Sequence, residues 1–182
     1  MGNPWHLRDY VFAAFMTIGM VISVAIVGPF VPPGFQLLAW APLGGIFLTL
    51  GMARLQRRGS VALMILPLAL LLGLISPIMT LYLAATVAVT EGTMLVVGNY
   101  RRKINRLIGN GLFFASANLG GLLLGAYLIK GHKADSFVRL VTQPVVLLLV
   151  TLLAGAAGVL GWWLGELAIQ RLKKAGKMDV DL

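Results

Sequence analysis

The chain has 182 residues, of which 59% are hydrophobic and only 12% charged. Soluble domains carry about 25% charged residues, so an ordinary soluble fold of this composition would leave large apolar patches in water. The formal charge is +9 and there is no cysteine, which excludes disulfides and thiolate metal sites.

Four stretches exceed twenty residues without a charged side chain: 10–53, 59–90, 107–129 and 140–165. A hydrocarbon core about 30 Å thick needs roughly 20 apolar helical residues to span it. Met1-Gly2-Asn3-Pro4 lacks the basic start of a secretion signal, so the first helix, over 9–28, is expected to be retained. His6, just before it, reads as an exposed terminal residue. The second helix covers 36–54, and Pro29-Phe30-Val31-Pro32-Pro33-Gly34 between the two cannot stay helical. The third and fourth, over 60–76 and 80–99, part at Ser76-Pro77. The third is short and flanked by Pro67 and Pro77, so a kink is expected. The fifth covers 107–129. An outer loop, Lys130-Gly-His-Lys-Ala-Asp-Ser-Phe, leads to the sixth over 140–170. That helix is expected to tilt or to emerge as an amphipathic tail through Gln170-Arg171-Leu172-Lys173-Lys174. The predicted fold is an all-α integral membrane protein, one domain over 1–182 with six transmembrane helices.

Charge orients it. Twelve of the fifteen basic residues fall on one side of the six spans: Arg8; Arg54, Arg57 and Arg58; Arg101, Arg102, Lys103 and Arg106; Arg171, Lys173, Lys174 and Lys177. Only Lys130, Lys133 and Arg139 fall on the other. Short basic loops stay cytoplasmic, so both termini are expected inside the cell. The same distribution argues for anionic lipid headgroups or a cytoplasmic partner, and against nucleic acid. Small residues recur every four positions: Ala41, Gly45, Thr49 and Ala53; Ala84, Ala88 and Gly92; Ala117, Gly121 and Gly125; Ala157, Gly161 and Gly165. Such rows let helices approach closely in lipid. No internal repeat is evident, which weakens a reading as a transporter built from inverted halves.

The sequence offers little catalytic chemistry. There are two histidines and six acids, and no metalloprotease, serine-hydrolase or phosphate-loop pattern. The chain is therefore not read as an enzyme, and no cofactor or metal is expected. Glu91 lies about ten residues before the basic cluster, roughly 15 Å deep at 1.5 Å per residue. A buried acid there binds substrate or carries protons, or else is structural and bonded to Asn110 or another helix's polar group; the structural role is preferred. Glu166 is expected to snorkel to the interface near Arg171. Uncharged polar groups gather on the outer half, at Thr80, Tyr82, Ser116, Asn118, Thr142 and Gln143. The last three helices are thus expected to form a pocket for a small, partly polar molecule. Tyr82, Asn118, Gln143 and His132 are the candidate contacts, with Trp40 and Phe35 as covers; interfacial anchoring is the alternative for Trp40.

Two segments carry a family resemblance. Ala41-Pro-Leu-Gly-Gly-Ile-Phe-Leu-Thr-Leu runs into Ala53-Arg-Leu-Gln-Arg-Arg-Gly-Ser-Val, a Gly-Gly helix ending in a basic loop and Gly. Gly158-Val-Leu-Gly-Trp-Trp-Leu-Gly runs on to Arg171-Leu-Lys-Lys-Ala-Gly-Lys. With six spans, both ends inside and the acid of Val89-Thr-Glu-Gly, the chain resembles the S component of an energy-coupling-factor (ECF) transporter, nearest to the Trep_Strep family. The resemblance implies a high-affinity binder of a scarce micronutrient, such as a vitamin or vitamin precursor. It implies a membrane T component and two cytoplasmic ATPases as partners, and uptake by toppling in the bilayer. Family members often carry Ala-x-x-x-Ala on helix 1 for the T component. Here Ala13-x-x-x-Thr17 and Gly19-x-x-x-Ser23 stand there, so Ala13, Ala14, Thr17 and Gly19 are the expected docking positions. A structural or assembly subunit of a membrane complex, with no ligand, is the alternative.

Overall fold

The computed structural model describes residues 5–32, 34–128 and 132–176, with backbone alone at 132–136. Every regular element among them is helical: α1 (Leu7–Val27), α2 (Gln36–Leu55), α3 (Ser60–Gly73), α4 (Pro77–Val97), α5 (Lys103–Leu128), α6 (His132–Thr142) and α7 (Pro144–Lys174). Five of them, α1, α2, α4, α5 and α7, are long and apolar enough to cross a membrane. The third predicted span, α3, has 14 residues, about 21 Å at 1.5 Å per residue, and falls short of the hydrocarbon thickness.

The breaks follow turn chemistry. Gly28–Phe30 closes α1 as a 3-10 turn with Pro29 inside it. Ser76 is extended, as a residue before proline must be, and Pro77 opens α4 where its missing N–H costs nothing. Gln143 is extended for the same reason before Pro144. The predicted outer loop and the predicted start of the last span at 140 need correction. The chain is helical from His132, stops at Thr142, and restarts at Pro144. In α6, Phe137, Leu140 and Val141 are half-buried, while Val138, Arg139 and Thr142 are exposed. That is an amphipathic face at i, i+3 and i+4, masked in the sequence by its charges.

The helices pack with small residues inside and large ones outside. On α7, Ala154, Gly158, Gly161 and Gly165 are buried, while Leu148, Leu149, Leu152 and Leu153 are exposed. This inverts a soluble helix and suits a lipid surround, where close backbone contact rather than apolar burial drives association. The most extensive contact is between α2 and α7. A Cβ on Gly161 would lie 2.7 Å from the Pro42 carbonyl oxygen and 2.8 Å from Gly45 Cα. The rows at Ala41–Ala53 and Gly161–Gly165 are therefore internal packing. The row on α4 differs: Ala88 and Gly92 are exposed, and nothing lies within 4 Å of a Cβ on Gly92.

Candidate functional site

The two ends of the bundle are built from different materials. At the end where α2 leads into α3 and α4 into α5, polar groups close on one another. Gln56 and Gly59 take left-handed backbone (φ 56° and 86°), which turns the chain from α2 into α3. That turn leaves the first N–H groups of α3 without helical partners. Glu91 of α4 supplies them: Oε2 accepts from Gly59 N at 2.7 Å, and Oε1 from Val61 N at 2.9 Å and Ala62 N at 3.4 Å. Ser60 N donates to the Arg57 carbonyl and Leu63 N to that of Gly59, so the first N–H groups of α3 are all satisfied. A carboxylate at a helix N-terminus also meets the positive end of the helix dipole. Glu91 is thus a structural cap, level with the loop because α3 is short, and it bonds neither Asn110 nor a group of the pocket. Asn110 instead donates to the Gly45 carbonyl at 3.0 Å and to the Thr49 hydroxyl.

Glu166 does not snorkel. It is buried against Arg106 of α5, with Oε1 2.7 Å from Nε and side-chain exposures of 8% and 3%. Arg106 Nη1 also donates to the carbonyls of Tyr100 (2.9 Å) and Arg101 (2.8 Å). Tyr100, between α4 and α5, is fully buried. Burial, and then the nearby Glu91 carboxylate, push its phenol pKa well above the ordinary value. Among the described residues, no group of three or more His, Asp or Glu is placed to hold a metal ion.

At the opposite end the helix ends diverge around a cavity of about 430 Å³. It is lined by Val24 of α1, Gly28 after it, Trp40 of α2, Leu68 and Leu72 of α3, Met79 and Tyr82 of α4, Asn118 and Gly121 of α5, and Phe137 of α6. Glycine makes room: a Cβ on Gly125 would lie 2.7 Å from the Phe137 ring, and one on Gly34 would lie 2.9 Å from Leu140 Cδ1. Gly34 also has φ 95°, a backbone that favours glycine. Trp40 is buried and donates its indole N–H to Ser23 Oγ at 2.7 Å, which in turn donates to the Met20 carbonyl at 2.8 Å. It is a fixed wall, packed edge-on against Phe114, and not an interfacial anchor.

Of the residues singled out in the sequence, Trp40, Tyr82 and Asn118 come together on this cavity. Glu91 lies at the other end. Gln143 is exposed at the break before α7 and does not line this cavity. The side chain of His132 lies outside the described residues. Phe35 is exposed. Thr80 is spent on the Ala69 carbonyl, Ser116 on Leu112 and Phe113, and Thr142 on Val138 and Arg139. The last span contributes no lining residue, and α1, α2 and α3 take the place expected of it. Their residues Val24, Leu68 and Leu72 carry no local signal of a site, since an apolar wall looks like any core face.

The expected docking face on α1 is also used internally. Ala13 and Thr17 are buried, and Thr17 Oγ1 donates to the Met64 carbonyl at 2.8 Å. A Cβ on Gly19 would lie 2.5 Å from the Phe47 ring. Only Ala14 is exposed, among Tyr10, Val11, Phe15 and Ile18. Small residues at positions 13, 17 and 19 thus bring α1 onto α3 and α2. No protein-family profile, curated protein or solved structure matches this chain.

Proposed function

We propose that the chain is a multi-pass protein of the cell membrane that binds one small molecule in this cavity, with both termini in the cytoplasm. In this reading α3 and the five long helices make six crossings, and the cavity opens away from the basic loops, towards the outside. The protein acts as the binding subunit for uptake of a scarce micronutrient. A T component and two ATPases supply the energy, as in ECF transporters, and toppling carries the site across. One observation carries the reading: Asn118 is buried on the cavity wall with neither amide atom bonded to the protein. Buried polar groups are nearly always paired, so an open pair on a cavity wall is a place for a ligand.

The test is mass spectrometry of small molecules retained by the purified protein, with co-purifying proteins identified from the same sample. A retained molecule released by Asn118→Ala, and copies of a T component and two ATPases, are expected. An empty protein held in a stable complex would favour the structural-subunit alternative. Substrate accumulation by the chain alone in liposomes would overturn the division of labour. Cysteine labelling checks the orientation. Phe30→Cys is expected to react with an impermeant reagent in intact cells and Arg58→Cys is not; both side chains are exposed, at opposite ends.

A further inference from the structure

We infer that the cavity selects an uncharged, largely apolar molecule that presents a hydrogen-bond donor and acceptor side by side, an amide or lactam edge, to Asn118. This rests on the reading of the cavity as a ligand site. Asn118 is 1% exposed, and both Nδ2 and Oδ1 lack a protein partner. The other two asparagines of α5 are anchored through Nδ2: Asn105 donates to the Asn99 carbonyl at 2.6 Å, and Asn110 to Gly45 and Thr49. Asn118 alone keeps both ends of its amide open. A carboxamide offers donor and acceptor in one plane, so its full complement is a second amide edge making two antiparallel hydrogen bonds.

The walls set the rest of the ligand. None of the described lining residues is charged; apart from Asn118, the polar side chains are Gln36, Trp40, Ser76 and Tyr82. The Trp40 N–H is already engaged by Ser23. Gln36 Nε2 donates to the Gly28 carbonyl at 3.3 Å. Among the described lining residues none would give a carboxylate, phosphate or ammonium group a counter-charge for the hydration it loses, a cost that disfavours it. The aromatic and apolar lining, Trp40 and Phe137 with Met79 and Leu83, favours a ring system over a flexible polar chain. A site whose polar groups sit in an apolar cavity rejects an analogue that lacks the matching group, because its own groups are then left unpaired.

Three probes of one shape test this by calorimetry on the purified full-length protein, against empty micelles: 2-quinolone, N-methyl-2-quinolone and quinoline-2-carboxylate. The first has the lactam edge, the second has lost its donor, and the third is an anion. We expect 2-quinolone to bind at least tenfold more tightly than its N-methyl analogue, about 1.4 kcal/mol, and the carboxylate not to bind. In Asn118→Leu the two neutral probes should bind alike. Equal binding of the two in the unaltered protein is the result if Asn118 merely holds water, and it overturns the amide edge while leaving the cavity a ligand site. Preference for the carboxylate overturns the neutral class in the same way. Binding of none of the three overturns the reading of the cavity itself, and the inference falls with it.

Discussion

The basic end and the cavity end use the same kinds of residue to opposite effect. At the basic end Glu91, Arg106, Glu166 and Asn105 are matched to partners on other segments, although the buried Tyr100 and Thr90 hydroxyls are not. At the cavity end Asn118 is as buried as Arg106 yet has no partner. Buried polar groups left open reduce stability, and a fold retains them where something else completes them. One end fixes the bundle, and the other is left incomplete. In the proposed reading the first end is structural and the second takes the ligand.

Substitutions can break that contrast. The largest effect is expected from Arg106→Ala or Glu166→Ala, each of which strands a buried charge. A loss of about 3–5 kcal/mol is expected from one partner removed. Equilibrium unfolding in mixed micelles would measure it, and affinity for any retained ligand should survive in the folded fraction. A loss under 1 kcal/mol would mean that the pair is solvated and that the basic end is not the locked one. Gly161→Ala comes next. Its Cβ would press on backbone atoms of α2, which cannot rotate away, so about 1–3 kcal/mol is expected from overpacking. An unchanged unfolding midpoint would show that α2 and α7 part without strain.

Asn118→Leu should act with the opposite sign. It replaces an unpaired amide by an apolar side chain of similar size, and a gain of about 1 kcal/mol is expected in the ligand-free protein. The preference for a lactam edge should be lost with it. A destabilised variant would mean that Asn118 is a structural group after all, and the two ends would no longer differ in kind. The smallest effect concerns pH. The Tyr100 phenol is held neutral by the fold, with its pKa raised. Its ionisation therefore favours the unfolded chain. Stability is unaffected below the ordinary tyrosine pKa of about 10 and falls as pH rises above it. Tyr100→Phe should flatten that alkaline limb in a thermal-melt series. A limb unchanged in the variant would assign the loss to another group.

The positions of the breaks were legible in the sequence, and for a local reason. Pro29 and Ser76-Pro77 act on their own backbone and on the residue before them, so helices part where those residues say; the break at Pro144 falls inside the span expected over 140–170. The short α6 was hidden because its apolar face is only Phe137, Leu140 and Val141 among charges. The site was half legible. Tyr82 and Asn118 stood out as polar groups in apolar helices, while Gln143 stood out in the same way and is simply exposed.

Composition and charge-free runs determine by themselves an all-helical chain with several helices fit for lipid, because hydropathy and proline effects are summed over neighbours. Partnership is decided only by the tertiary structure. Glu91 finds the start of α3 some thirty positions away, Arg106 finds Glu166 across sixty, and Asn118 finds none. Nothing in the local sequence distinguishes these outcomes. They depend on which glycines let which backbones meet, Gly45 with Gly161 above all, and on where the helix ends are left apart.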